Sequence, residues 1–463
     1  MESLVELGFR IQIKDFKDEE QLFQAREYFD REMRLLAPLD SEFQKNFRTH
    51  WLQAQEKLKI DQRRKSDQKQ KLIEEKRKAV NETEVFVPHA LFEIRHKGWV
   101  SNAEFSPDGR FVATAGYDRT AKIYDLQTQS QIGEIQHQDW VWNAKFSPDS
   151  HYVVTASNDK TVKIYDVQAH KEIETIQHSQ WVKMAEFSPD SRYVVTASND
   201  KTTKIYDLHT RKVIATIDHL RLVNVAKFSP DNHYVVTAST DHTAKIYDLQ
   251  AGKEGGKIDH GGSVADIQVS PDSRYVVTAS ADHKAKIYDL RTQAVIKEIQ
   301  HSDQVNVVQF SPDGRYVVTA SNDGTAVIYD LKKKSVLETI EHSEQVNSVK
   351  FSPDGRYVVT ASNDKTVQVY DLRSRVVVGV ISHQDAVREI QFSSDSQFVV
   401  TALADDGMAK IYDLKSQTEV AELEHLGDSV KAQFRPGGSY LITYPIEGTV
   451  RIMKLYWKMG EKS

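Results

Sequence analysis

Residues 137–166 read HQDWVWNAKFSPDSHYVVTASNDKTVKIYD, and this phrase decides the fold because it returns along the chain. The phenylalanine before Ser147-Pro148-Asp149 recurs as Phe105, Phe146, Phe187, Phe228, Phe310, Phe351 and Phe392, with Val269 in the fifth slot, at a step of 41 residues. Phe434 follows after 42, the extra residue falling in Leu403-Ala404-Asp405-Asp406. Nine residues ahead of each stands a histidine: His96, His137, His178, His219, His260, His301, His342, His383 and His425. A period of this length marks a repeat architecture, here in nine copies.

Alternation and turn chemistry divide each copy into four short strands. Residues 152–157 and 161–165 flank an Asn158-Asp159-Lys160 turn, Pro148-Asp149-Ser150 turns the chain before them, and residues 172–177 alternate up to the next histidine. A four-stranded blade buries both faces only between neighbours, which predicts radial stacking into a closed ring. Residues 90–95 form a strand-like stretch before the first histidine, whereas the last copy stops at residues 451–454 without an outer strand of its own. The amino-terminal strand is therefore expected to complete the ninth blade and leave no open seam. A smaller ring with two blades left over is disfavoured, because two blades alone have no partner surface.

The period, the histidine, the Ser-Pro-Asp turn, the Ser-x-Asp turn and the closing Ile-Tyr-Asp resemble the WD40 repeat, over roughly residues 90 to 455. The resemblance implies an all-β WD40-type propeller that binds other macromolecules, although about seven blades is the family's common number. It also implies a hydrogen-bond network within each blade among a histidine, a serine or threonine, a turn aspartate and a tryptophan. Carried onto this chain, these are His137, Ser157, Asp159 and Tyr165 in the second copy and His178, Ser198, Asp200 and Tyr206 in the third. Tyrosine replaces tryptophan at positions 124, 165, 206, 247, 288, 329, 370 and 412, and a phenol reaches differently from an indole N–H. The expected organisation is a helical extension over 1–85, a nine-bladed propeller over 86–457 and a tail over 458–463.

Before residue 85, apolar residues at Leu22, Ala25, Phe29, Met33 and Leu36 predict one helix, ended by Pro38. Phe43, Phe47, Trp51, Ala54 and Leu58 predict a second, capped by Asp40 or Ser41. The two stripes suit a hairpin that dimerises, tethers or docks on the propeller. Beyond it lies a basic stretch from Lys57 to Lys78, either a solvated stalk or a contact for an anionic partner.

Composition narrows the function classes. The chain has 28% charged and 39% hydrophobic residues, and no run of eighteen apolar residues that would span a membrane. Glu2 and Glu6 occupy the start where a secretory signal is basic, so a cytoplasmic address is expected. With no cysteine, thiolate nucleophiles and cysteine metal sites are excluded. A net charge of -6 gives no overall field for gripping nucleic acid. His, Ser and Asp invite an enzymatic reading, but a catalytic set is needed once and this one repeats in phase. No catalytic, metal or cofactor site is expected. Two partial motifs fail as well: Ile258 stands where a phosphate loop needs Ser or Thr after Lys257, leaving residues 252–257 as a flexible turn, and Asn81-Glu82-Thr83 is expected to stay unglycosylated.

Function must then lie where the copies differ. Three places past the histidine stand Trp99, Trp140, Trp181, Leu222, Ser263, Gln304, Gln345, Ala386 and Asp428. Five places past it stand Ser101, Trp142, Lys183, Asn224, Ala265, Asn306, Asn347, Arg388 and Val430. The turn residue is Tyr117 in the first copy but Asn158 and Asn199 in the next two. Four of the six tryptophans thus fall on one short arc, and tryptophan is the residue most enriched at binding hot spots. The expected partner-binding set is Trp99, Tyr117, Trp140, Trp142, Trp181, Lys183 and Leu222. A protein or peptide segment is the favoured ligand, and a nucleic-acid-associated role through the basic stalk is the alternative.

Overall fold

The computed structural model describes residues 84–403, 408–424, 430–438, 440–445 and 448–459, all within the unit Thr83–Ser463. They form 36 strands and no helix; the helices expected before residue 60 lie outside the described residues. The strands make nine four-stranded antiparallel sheets, eight of them from consecutive strands. In the first blade these are β2 (Val100–Phe105), β3 (Phe111–Gly116), β4 (Thr120–Asp125) and β5 (Ser130–Gln136). First strands of successive blades touch one another, so they line the centre and the fourth strands form the perimeter.

The core is divided into nine clusters, each between two adjacent blades. Second strands show why. Val153 packs towards the first blade against Ala113 and Ile123, while Val154 and Ala156 pack towards the third against Phe187 and Val194. A strand covered on both faces needs apolar residues at successive positions, hence the run Tyr152-Val153-Val154 where an exposed sheet would alternate.

The ninth blade consists of β34 (Val430–Phe434), β35 (Tyr440–Pro445), β36 (Thr449–Met459) and, outermost, β1 (Glu84–Arg95). β1 and β36 pair antiparallel from Glu84 opposite Met459 to Arg95 opposite Thr449, with an irregularity between Ala90 and Phe92. Both strands outrun their apolar patterns. β1 begins inside the segment assigned to the extension and β36 passes residue 457, because backbone pairing continues where the side-chain pattern stops. Ile94, Val100 and Phe105 then pack with Ile442, Val450 and Ile452, which closes the ring.

Two further features hold blades together. In the second, sixth and seventh blades side chains of the preceding blade cover the free edge of the innermost strand: the N–H groups of Phe146, Phe310 and Phe351 donate to Glu104 (2.7 Å), Gln268 (2.9 Å) and Gln309 (2.8 Å). Burial pushes the Glu104 carboxyl up to about 7, against the opposing pull of Lys145. At the perimeter, the stretch expected as a flexible turn is largely strand: Lys253–Asp259 is the outer strand of the fourth blade, and only Gly252, at φ +63°, makes the turn. Gly256 has a packing reason, since a Cβ there would lie 2.6 Å from the Tyr288 hydroxyl of the next blade.

Closure makes Ile94 a critical contact, because it is fully buried between the ninth and first blades. Ile94→Ala is expected to lower unfolding free energy by about 2–5 kcal/mol, read from urea denaturation. Hydrogen exchange should rise first along β36.

Candidate protein-binding rim

The histidine loops carry the rim, and their geometry follows from a repeated set of bonds. The N–H of His137 donates to the Arg119 carbonyl of the first blade at 2.9 Å. Its ring belongs to the second blade, with Nδ1 on Asp159 at 2.8 Å and Nε2 on Thr155 at 2.8 Å. His178 repeats the pattern with Lys160, Asp200 and Thr196. Burial holds the His178, His219, His260, His301 and His342 rings below the ordinary histidine pKa. A neutral ring then donates from Nδ1 to the carboxylate and accepts at Nε2 from the threonine hydroxyl. Burial alone would raise the Asp200 carboxyl, but hydrogen bonds from Thr202 and the Ser179 N–H, with the charge of His178, bring it down to about 2.

The remaining network residues are arranged differently from the family expectation. The Ser157 hydroxyl donates to the Trp140 carbonyl at 2.9 Å and accepts the Asp159 N–H at 3.0 Å; Ser198 does the same for Trp181 and Asp200. The serines therefore hold the loops, while Thr155 and Thr196, which the motif reading did not single out, meet the histidines. Tyr165 and Tyr206 face outward across the blade boundary, because their strand position points to the preceding blade: the Tyr165 hydroxyl reaches the Ile132 carbonyl at 3.4 Å and that of Tyr206 reaches Glu174 at 2.7 Å.

In the second blade the network's carboxylate is already engaged on several sides. Asp159 also accepts from the N–H groups of Gln138 and Thr161 and from the Thr161 hydroxyl. Among the described residues, no three His, Asp or Glu side chains converge as a metal site would.

The side chains that differ between blades are positioned by a bulge. In the second blade Val141 opposes Ser157 and Asn143 opposes Ala156, which leaves Trp142 between them without a partner in register. The same shift occurs at Ser101, Lys183, Asn224, Ala265, Asn306, Asn347 and Arg388, and a bulge re-aims the side chain it carries. In the sixth and seventh blades the bulged asparagine bonds the turn asparagine, Asn306 to Asn322 and Asn347 to Asn363. In the second blade the Trp142 indole N–H donates to Asn158 in the same slot. In the third, the Lys183 amine lies 3.5 Å from Asn224 of the fourth.

The loop residues take equivalent places on successive blades, since the carbonyls of Trp99, Trp140, Trp181 and Leu222 accept the N–H groups of Tyr117, Asn158, Asn199 and Thr240 at 2.7–2.9 Å. The structure gathers four aromatics into one group spanning two blades. Tyr117 stacks on Trp140 at 4.6 Å and 5°, Trp142 meets both edge-on at 5.4 and 6.2 Å, and Trp99 tilts against Tyr117 at 5.7 Å. Trp181 and Leu222 continue the arc one and two blades further. Trp99, Trp140 and Trp181 remain 55, 43 and 47% exposed. Sequence reading missed the neighbouring Leu220, 82% exposed, because it named only the third and fifth places past the histidine.

A family model described as the IFT122 first beta-propeller matches residues 99–341, just over half of the chain. That described as the WD domain, G-beta repeat, matches residues 333–371 and 375–413. The chain belongs to this family of WD-repeat propellers. Among solved structures with the same fold is the computationally designed Ika8 protein, 21% identical, with 79% of this chain and 99% of that one covered and a TM-score of 0.57. No curated protein matches it. WD-repeat propellers typically serve as protein-interaction scaffolds, and no described helix here is long and apolar enough to cross a membrane.

The eighth blade of this WD-repeat propeller departs from the network. Leu403 takes the place of the loop-holding serine, His383 keeps Thr401 at 3.1 Å, and among the described residues nothing pairs with its Nδ1. Burial, with the charge of Lys410, lowers its pKa to about 4. A lowered histidine pKa favours the folded state while the ring is neutral, so this contribution is complete above about pH 6.5 and is lost as pH falls towards 4. His383→Gln should therefore flatten the fall of unfolding free energy between pH 6.5 and 4 by up to about 1.4 kcal/mol per pH unit. Urea titrations of both proteins across that range read the difference; parallel curves would refute it.

Proposed function

We propose that this propeller is a non-catalytic, cytoplasmic scaffold whose rim, at the first to third blades, binds a segment of another protein. The observation that carries this reading is the aromatic group of Trp99, Tyr117, Trp140 and Trp142, continued by Trp181. It is ordered by contacts among its own rings and half open to solvent, at positions where later blades carry Ser, Gln and Asn. Rings already held in place lose little freedom on binding, which is the usual reason that Trp and Tyr dominate recognition surfaces. The amino-terminal segment is assigned a tethering or self-associating role. A nucleic-acid contact through its basic residues is the alternative, and it would appear as binding that weakens steeply with salt.

The test is affinity capture from native lysate with wild type and Trp140→Ala/Trp142→Ala, once both are shown to fold. The double variant is expected to lose a specific protein that wild type retains. Equal capture by both would move the interaction away from this rim.

A further inference from the structure

The aromatic arc is set among cations that have no carboxylate partner. Lys97 and Arg221 stand in the histidine loops of the first and fourth blades, Lys183 on the third bulge, and Arg119, Lys160 and Lys201 directly after the turn aspartates of the first three blades. All six are exposed, and none forms an ion pair with any described residue. Lysines on the perimeter do find acids, as Lys163 with Glu172 at 2.9 Å and Lys245 with Glu254 at 3.0 Å.

The three turn cations occupy left-handed backbone, with φ of 69° at Arg119 and 72° at Lys160 and Lys201, as do His242, His283 and Lys365 at the same turn position of the fourth, fifth and seventh blades. Glycine suits such a position, and the sixth blade uses it at Gly324, φ 82°.

Charge changes sign around the rim. In the histidine loops of the first four blades the only acid is Asp139, whose carboxylate already accepts the Trp140 N–H at 2.8 Å. The sixth to eighth blades carry Asp303, Glu344 and Asp385 there, against the exposed Arg388 on the eighth bulge and Lys365, whose amine is engaged by the Gln384 carbonyl at 3.0 Å. The electropositive sector therefore coincides with the aromatic one, on a chain whose net charge is -6.

We infer that the rim of the first four blades receives an extended acidic segment of a separate protein, its apolar side chains on the rings and its carboxylates on the cations. This rests on the scaffold reading above and names the chemistry of its partner. A basic stretch of this same chain, such as Lys57 to Lys78, would be repelled. Single-stranded nucleic acid suits the sector less well, because bases need successive open ring faces. Here one face of Tyr117 is covered by Trp140 at 4.6 Å, and Trp142 meets both rings edge-on.

The full chain is titrated against three fluorescein-labelled probes of about twelve units each: a peptide of alternating Glu and Leu, one of alternating Lys and Leu, and oligouridylate. Anisotropy is followed from low to high salt. The comparison protein is Arg119→Gly/Lys160→Gly/Lys201→Gly, which removes three charges while keeping the turn that Gly324 already makes. The acidic peptide is expected to bind saturably and the basic one not, with the triple variant weaker by about tenfold or more. Absence of saturable acidic-peptide binding, equal affinity of the triple variant, or tighter binding of oligouridylate overturns the inference. The scaffold reading is tested separately: a protein lost by Trp140→Ala/Trp142→Ala yet kept by the triple variant would uphold the rim and overturn only its acidic preference, whereas equal capture by the double variant would overturn the rim itself.

Discussion

Everything above the sheets hangs on a histidine that belongs to two blades at once. Its N–H is held by the turn of one blade and its ring by the aspartate and threonine of the next, as in His137 between Arg119, Asp159 and Thr155. A loop crossing from perimeter to centre would otherwise leave several polar groups buried without partners. The ring satisfies two side chains, the histidine N–H satisfies one carbonyl, and the serine beside it satisfies the loop carbonyl. The residue three places past the histidine, tryptophan in the first three blades, is thereby held by equivalent backbone bonds on successive blades. The side chain at that place can then change from blade to blade without altering the fold.

The second constraint is closure. A blade with one bare face exposes half of its apolar contacts, so none is stable until its neighbour arrives and the last must meet the first. Pairing β1 with β36 supplies this by covalent economy, since one blade is built from both chain ends. The Tyr-Asp variation works in the same direction. Tyr206 reaches Glu174 and Tyr165 reaches the Ile132 carbonyl, so each tyrosine ties its blade to the preceding perimeter strand.

Much of this was legible in the residues. The 41-residue step and the missing outer strand of the last copy define nine blades and their closure, because periodicity reports directly on units that pack alike. The identity of the histidine's partner was not legible: Thr155 and Ser157 lie two apart in one strand, are both hydroxyls and are both fully buried. Only the rotation of the strand decides which meets the ring. The reach of the tyrosines was hidden for a related reason, since alternation says that a side chain leaves its own sheet but not what it finds there. At the rim, the tryptophans could be read from composition, whereas the stacking of Tyr117 on Trp140 depends on the bulge and on two loops from different blades.

Positions common to all blades and positions that vary carry different physical loads. Where the blades agree, donors and acceptors are matched within the fold: Asp159 accepts from His137, Gln138 and Thr161 and has little left to offer a ligand. Where they differ, the groups are incompletely matched by their own fold. Trp181 stands half exposed, and Lys160 and Lys201 hold left-handed backbone without a carboxylate partner among the described residues. Quieter solutions exist at these positions within the same chain, as Gly324 and the Asn306–Asn322 pair show. Exposed Trp99, Trp140 and Trp181 on three neighbouring blades, beside Lys160 and Lys201, form the contiguous feature on which the proposed recognition surface rests.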